Sequence, residues 1–225
     1  MTAGLPPRMA YERWAPTYAT SGRNPLAAAA EAALEAVRPL VVGQRVLDVG
    51  CGDGRWVSRT LAGGADGVVG LDLTEGMLRA ARRRVPRGRF VAGDMRALPF
   101  GAGTFDVVVC ALALAHVPEP DPPIREAARV LVASGWLALV DLHPDAASRG
   151  WRRTFRTADG RLHEVAWTPH GVARVQAACE SAGLEVAAVE IRSLDPTDLL
   201  PDAPPSAAEG PAVYALAARR RGGTR

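Results

Sequence analysis

The sequence predicts an α/β fold: a doubly wound, mostly parallel seven-stranded sheet behind an N-terminal helical lid. Two observations and one rule of connection predict it. Short apolar, β-branched runs alternate with helix-patterned segments from residue 45 onward, the mark of βαβ units whose strands are buried on both faces. Right-handed crossovers then leave the doubly wound arrangement as the main option. The first apolar run, Val46-Leu47-Asp48-Val49, leads into three glycines at every second position, Gly50-Cys51-Gly52-Asp53-Gly54, before a helical segment begins. Strand, glycine turn and helix together bring bare backbone close to a nucleotide-like ligand.

Residues 1–25 are proline-interrupted and aromatic. Tyr11, Trp14 and Tyr18 share one helical stripe, which suits either a helix docked on the core or a lid over a cofactor. Residues 26–38 are an alanine-rich helix that Pro39 ends. Strands follow at 45–49, 68–73, 89–92, 105–112 and 136–142, with helices at 55–61, 75–85 and 125–132 between them. Residues 143–170 break the rhythm: His143, His163, His170, Trp151, Trp167 and Arg149, Arg152, Arg153 and Arg156 make a natural substrate wall. A helix at 171–182 and strands at 184–191 and 212–218 finish the chain. The stretch 195–211 between those strands is rich in Pro, Asp and Ser and reads as a surface loop.

At 225 residues and 48% hydrophobic content, the chain suits a single domain with a substantial core. Within it, 1–40 is read as the lid, 41–142 as a cofactor-binding core, 143–170 as the substrate wall and 171–225 as the closing helix and strands. The net charge is only +3, and all 27 basic residues are arginine. The clusters at Arg79, Arg82, Arg83, Arg84, Arg87 and Arg89 and at Arg219, Arg220 and Arg221 lack interleaved stacking aromatics. They read as a solvated helix face and a frayed tail, so no nucleic-acid partner is expected. Cys51, Cys110 and Cys179 contain no CxxC pair, which argues against a disulfide framework and a zinc site. The opening residues have no apolar core of the signal-peptide kind. The longest apolar run, 107–115, is too short to span a bilayer. The expectation is a soluble, cytoplasmic monomer or homodimer with no membrane partner.

The ligand of the glycine turn can be narrowed. In the dinucleotide pattern GxGxxG the third glycine would fall at 55, where the chain has Arg55, and a nicotinamide cofactor is thereby disfavoured. The second strand ends Gly70-Leu71-Asp72, and a carboxylate there can accept both hydroxyls of a ribose. The third ends Gly93-Asp94-Met95, placing a second carboxylate and an apolar side chain where an adenine amine and ring face would be received.

With these motifs the chain resembles the class I S-adenosylmethionine-dependent methyltransferases, in particular the small-molecule group with the ubiquinone/menaquinone-type core. The resemblance spans about residues 11–191. It rests on Asp48-Val49-Gly50-Cys51-Gly52-Asp53-Gly54, Gly70-Leu71-Asp72-Leu73-Thr74 with Met77, Gly93-Asp94-Met95 through Phe100, Phe105-Asp106, and the turn to His116-Val117. Residues 125–131, Ser134-Gly135-Trp136-Leu137 and the lid residues Tyr11, Ala15 and Tyr18 extend it. The resemblance implies a Rossmann-like methyltransferase fold and S-adenosyl-L-methionine as cofactor. Asp48 and Gly50 would frame its methionine end, with Gly52 also at the cofactor; Asp72 would hold the ribose, and Leu73 and Met77 would lie against the adenine. Asp94 would take the adenine amine, Met95 a backbone contact, the Ala111 carbonyl the amino group, and Tyr18 the lid contact. Ala19, Ala115 and Ser134 depart from the usual pattern without removing a cofactor contact.

A sulfonium methyl transfers by in-line displacement, so alignment and exclusion of water carry most of the work. A general base helps a hydroxyl or amine acceptor. His143 is the first candidate and His116 the second, each also readable as a structural residue. His163 and His170 could line the acceptor pocket; no spacing supports a metal site. Arg149, Arg152, Arg153 and Arg156 could bind an acidic acceptor or form a solvated face. Asp121-Pro122-Pro123-Ile124 only superficially matches the Asp-Pro-Pro-aromatic element of nucleic-acid amino-methyltransferases, because it follows His116 and lacks the aromatic residue. The expected function is methyl transfer to oxygen, nitrogen or carbon of a small molecule. A cyclase or a non-catalytic binding protein on the same cofactor pocket is the alternative.

Overall fold

The computed structural model describes residues 4–19, 25–195, 197 and 208–222. Its centre is a seven-stranded sheet. Strand β1 (Arg45–Val49) lies between β2 (Gly67–Asp72) and β4 (Phe105–Ala111), with β3 (Arg89–Ala92) outside β2 and β5 (Leu131–Leu142) outside β4, all parallel. The last two strands run antiparallel: β9 (Val213–Arg220) pairs with β5, and β8 (Leu184–Arg192) with β9. The order β3-β2-β1-β4-β5-β9-β8 reverses direction of growth between β1 and β4. Ligands of open α/β sheets bind beyond the carboxyl ends of the strands at such a switch point.

The apolar runs are continuous because both faces are covered. Leu47, Val49, Leu71, Val108, Cys110, Leu137 and Leu139 face one layer, which contains α5 (Asp121–Val130) and α7 (Val172–Ser181). Val46, Val68, Val107, Val109, Ala138 and Val140 face the other, which contains α2 (Pro25–Leu34) and α3 (Arg55–Ala62). Full burial of each Val or Leu among them is worth about 1.5–3 kcal/mol, so the alternation within one strand serves two cores at once. Helix α4 (Glu75–Arg84) completes the crossover between β2 and β3.

Several boundaries move for identifiable reasons. The helix expected at 26–38 is α-helical only to Leu34; Glu35–Val41 continues as a 3₁₀ helix containing Pro39, whose missing N–H cannot serve an α-helical bond. Helix α5 starts four residues early, at Asp121, because Pro122 falls in the first turn, where no N–H is required. Strand β5 begins at Leu131 rather than 136: Leu131 pairs with Phe105, then the register shifts, with Ser134 at φ 66°. Most of the loop expected at 195–211 lies outside the described residues.

The 143–170 stretch contains a short helix, α6 (Pro144–Ser148), and an antiparallel hairpin, β6 (Thr154–Arg156) with β7 (Leu162–Glu164). The N-terminal helix α1 (Pro7–Tyr18) is fastened to this hairpin: Leu5 N donates to Glu164 O at 2.7 Å and Ala166 N to Leu5 O at 2.9 Å. On its other side Glu12 accepts from Gly76 N at 2.9 Å and from Arg79 at 2.9 Å. Glu12 thereby caps the first turn of α4, since the side chain of Thr74, the residue before that helix, makes no capping bond. Among the described residues no helix is long and apolar enough to cross a membrane.

Candidate active site

A cavity of about 310 Å³ opens at the carboxyl ends of β1, β2 and β4 beneath α1. Its floor is the glycine turn. Gly50 has φ 74°, and a Cβ there would stand 2.5 Å from that of Ala113, so position 50 excludes any side chain. Gly50 and Cys51 both donate their N–H to Leu71 O, at 2.8 and 2.9 Å. The turn is thus stitched to the end of the neighbouring strand.

Asp72 is the second tie. Its Oδ2 accepts from Gly52 N at 2.9 Å, and its Oδ1 from Thr74 N at 2.9 Å and Thr74 Oγ1 at 2.8 Å. Burial raises its carboxyl above the usual range while these bonds oppose the rise. Asp72 therefore faces the cavity in one fixed pose, with one of its roughly four lone-pair sites still open, on Oδ2, toward a hydroxyl. Asp94 also lines the cavity, but Arg96 holds it in a fork, with Nη2 to Oδ2 at 2.6 Å and Nε to Oδ1 at 3.0 Å. That pairing keeps the Asp94 carboxyl below its ordinary value.

Asp48 differs from both. It is 2% exposed, lies beneath the turn rather than on the cavity wall, and neither carboxylate oxygen has a hydrogen-bond partner. Burial first, then the charges of Asp72 and Asp53, push its carboxyl up to about 7. A buried carboxylate without a partner is costly, and a cation bound above the turn would relieve it. The positively charged methionine end of S-adenosylmethionine is such a group.

The roof is aromatic. Trp14 packs edge-on to Tyr18 with centroids 4.7 Å apart and stacks on Phe155 of β6 at 5.0 Å. Tyr11 also lines the cavity. Its hydroxyl accepts from Arg153 Nη2 at 2.8 Å and lies 2.9 Å from His116 Nε2. Burial, and then the Arg153 charge, hold the His116 imidazole well below its ordinary pKa, so it is neutral near pH 7.

The cavity gathers most of the residues read from the sequence: Tyr18, Gly50, Gly52, Asp72, Leu73, Asp94, Met95, Ala111 and His116 all line it. Three expectations are corrected. Met77 is 0% exposed inside α4 and does not reach the cavity. Asp48 lies beneath the turn and does not line the cavity. His143 is turned away: its Nδ1 accepts from Asp145 N at 3.3 Å as the cap of α6. His163 stacks on Phe155, and the buried His170 bonds through Nε2 to Val117 O at 3.0 Å; neither lines the cavity. Trp151 and Trp167 pack against the core. From 143–170, Arg153 alone lines the cavity, so the expected substrate wall is narrower than the whole insertion.

Two residues passed over in the sequence matter here. Thr74 and Arg96 anchor Asp72 and Asp94, and each stands two positions after its carboxylate. That is the spacing at which an aspartate bonds its own downstream backbone, a signal present in Asp72-Leu73-Thr74 and Asp94-Met95-Arg96.

Sheet order, switch point, glycine turn and strand-end carboxylates together define the class I S-adenosylmethionine-dependent methyltransferase fold. Residues 46–135 match the family described as "Methyltransferase domain". The chain is 42% identical over 105 residues to a demethylmenaquinone methyltransferase of Renibacterium salmoninarum, a match covering 46% of this chain and 44% of that protein. The match thus spans less than half of that relative. A crystal structure of an S-adenosylmethionine-dependent methyltransferase from Mesorhizobium loti is 26% identical, with a TM-score of 0.70 over 87% of this chain and all of that one. The [4+2]-cyclase SpnF shares the fold at a TM-score of 0.70 and 20% identity, over 96% of each chain.

Proposed function

We propose that the protein binds S-adenosylmethionine in this cavity and transfers its methyl group to a small-molecule acceptor. The observation that carries the reading is the alignment of the glycine turn with Asp72 and Asp94. Strand β1 pairs with β2 up to Val49–Leu71 and β2 with β3 up to Asp72–Ala92, so Gly50, Asp72 and Asp94 stand at or within two residues of those strand ends. In this reading residues 41–142 hold the cofactor, residues 1–40 cover it, and the acceptor enters beside Arg153.

When bound, the cofactor supplies a sulfonium-activated methyl group. Asp72 receives a ribose hydroxyl, Asp94 and Met95 receive the adenine, and Leu73 packs against it from the rim. The bare backbone at Gly50 and Gly52 and the Ala111 carbonyl receive the methionine end, whose charge Asp48 balances from below. Tyr11, Trp14 and Tyr18 exclude water from the methyl, and alignment of this kind is worth about 7–11 kcal/mol. His116 bears on the acceptor through Tyr11. Held neutral by burial, it orients the Tyr11 hydroxyl by accepting its proton.

The test is incubation with methyl-labelled S-adenosylmethionine and a pool of small metabolites. Label is expected to move into the small-molecule fraction. Tight binding with label retained on the cofactor would leave a cyclase or a binding protein as the better account.

A further inference from the structure

The insertion carries four arginines, and the structure separates them. Arg149 donates to Pro211 O at 2.6 Å, Arg152 pairs with Glu164 at 3.0 Å, and Arg156 donates to Gly160 O at 3.1 Å. Arg153 turns into the cavity. Its Nη2 bonds the Tyr11 hydroxyl and its Nη1 the Leu112 carbonyl, at 2.8 and 3.3 Å. No ion pair within 4.0 Å neutralises it among the described residues, in contrast to its neighbour Arg152. Asp141 feels its charge through space, but the Asp141 oxygens accept from Ala115 N and Leu142 N.

Of the other charged side chains at the cavity, Arg8 is exposed at its rim and makes no ion pair among the described residues, and the rest are matched. Arg96 takes Asp94, Arg84 takes Asp53 at 2.6 Å, and Arg55 and Arg59 take Glu31 at 3.7 and 2.8 Å. Asp48 remains for the positive end of the cofactor and Asp72 for its ribose. Arg153 is then a half-buried cation beside an aromatic roof, with three of its five donors unspent. A planar guanidinium in that position matches a planar oxyanion with two parallel hydrogen bonds.

We propose that Arg153 is the acceptor-recognition residue, and that the acceptor presents to it an anionic oxygen, a carboxylate or an ionised phenolic hydroxyl. The inference rests on the cavity being the methyltransferase site. A bound sulfonium adds a second positive charge to the same space, which further favours an anionic acceptor over a neutral one. Neutral, buried His116 offers no competing cation at the Tyr11 end.

The experiment uses protein loaded with S-adenosylhomocysteine, titrated separately with benzoate and with benzyl alcohol, which share a ring and differ in charge. Benzoate is expected to bind at least about tenfold more tightly, the scale of a hydrogen bond to a charged group. Arg153→Gln is expected to abolish that preference while leaving S-adenosylhomocysteine affinity within about twofold. If that variant does not fold, Arg153→Met, which keeps the packing of the stem, is read in the same way. Equal affinities, no binding of either probe, or a preference surviving in the variant would overturn the proposal. So would a tenfold loss of S-adenosylhomocysteine affinity in Arg153→Gln, because the guanidinium would then serve the cofactor's own carboxylate. Failure of the wild-type protein to bind S-adenosylhomocysteine at all would instead remove the methyltransferase reading itself.

Discussion

The hydroxyl of Tyr11 and Nε2 of His116 stand 2.9 Å apart, joining the helical lid to the turn that follows β4. A guanidinium only donates, so the Tyr11 oxygen accepts from Arg153 and its own proton is free for the imidazole. Lid, sheet edge and insertion hairpin meet at this one hydroxyl.

Removing it should therefore be felt as stability. Tyr11→Phe leaves His116 Nε2 and one Arg153 donor without a partner, at a cost of about 1–3 kcal/mol. Equilibrium denaturant melts measure this directly. A loss below about 0.5 kcal/mol would mean that the chain is replaced by water at no cost.

Asp48 sets a pH dependence. Its folded-state carboxyl titrates at about 7 against an ordinary 3.8, so between those values the folded protein holds a proton that the unfolded chain has released. The stability this group contributes is complete below about pH 4 and is lost as the pH rises to about 7. Asp48→Asn removes the slope. Relative to wild type, the ligand-free variant should gain on the order of a few kcal/mol between about pH 4 and pH 8 while binding the cofactor more weakly. A stability difference independent of pH would show that Asp48 is solvated or paired.

His143 separates structure from chemistry. As the cap of α6 it should cost about 0.5–2 kcal/mol when changed to alanine, with cofactor affinity and methyl transfer retained. Loss of transfer with unchanged stability would return His143 to the catalytic role suggested by its place after β5.

The lid depends on Glu12. Its bonds to Gly76 N and Arg79 are partly solvent-exposed, so Glu12→Ala should cost no more than about 1 kcal/mol of global stability. The local effect should be larger: faster amide exchange in residues 7–18 and faster cofactor release. Unchanged exchange in that helix would place the fastening elsewhere, at the Leu5 bridge to Glu164.

The strands and the turn were legible because burial on both faces writes an uninterrupted apolar run, and because Gly50 tolerates no side chain. Asp72 and Asp94 were legible from their position at strand ends. What could not be read was direction. His143 and His116 both follow a strand, and only the packed turn at 114–116 shows that one points inward while the other caps a helix. Arg153 was one of four similar arginines until the hairpin fixed which way each faced. Met77 was expected at the adenine only through the family resemblance, and α4 places it wholly in the core.

The central claim is that the glycine turn and Asp72 hold an adenosyl cofactor. Titration calorimetry with S-adenosylhomocysteine tests it, on wild type and on Asp72→Ala. Wild type should bind one equivalent with a dissociation constant on the order of 10 μM, within the range enzymes commonly use. Asp72→Ala should weaken binding by about 1–3 kcal/mol, roughly five- to 150-fold. No binding to wild type, or equal affinity for both proteins, would contradict the account.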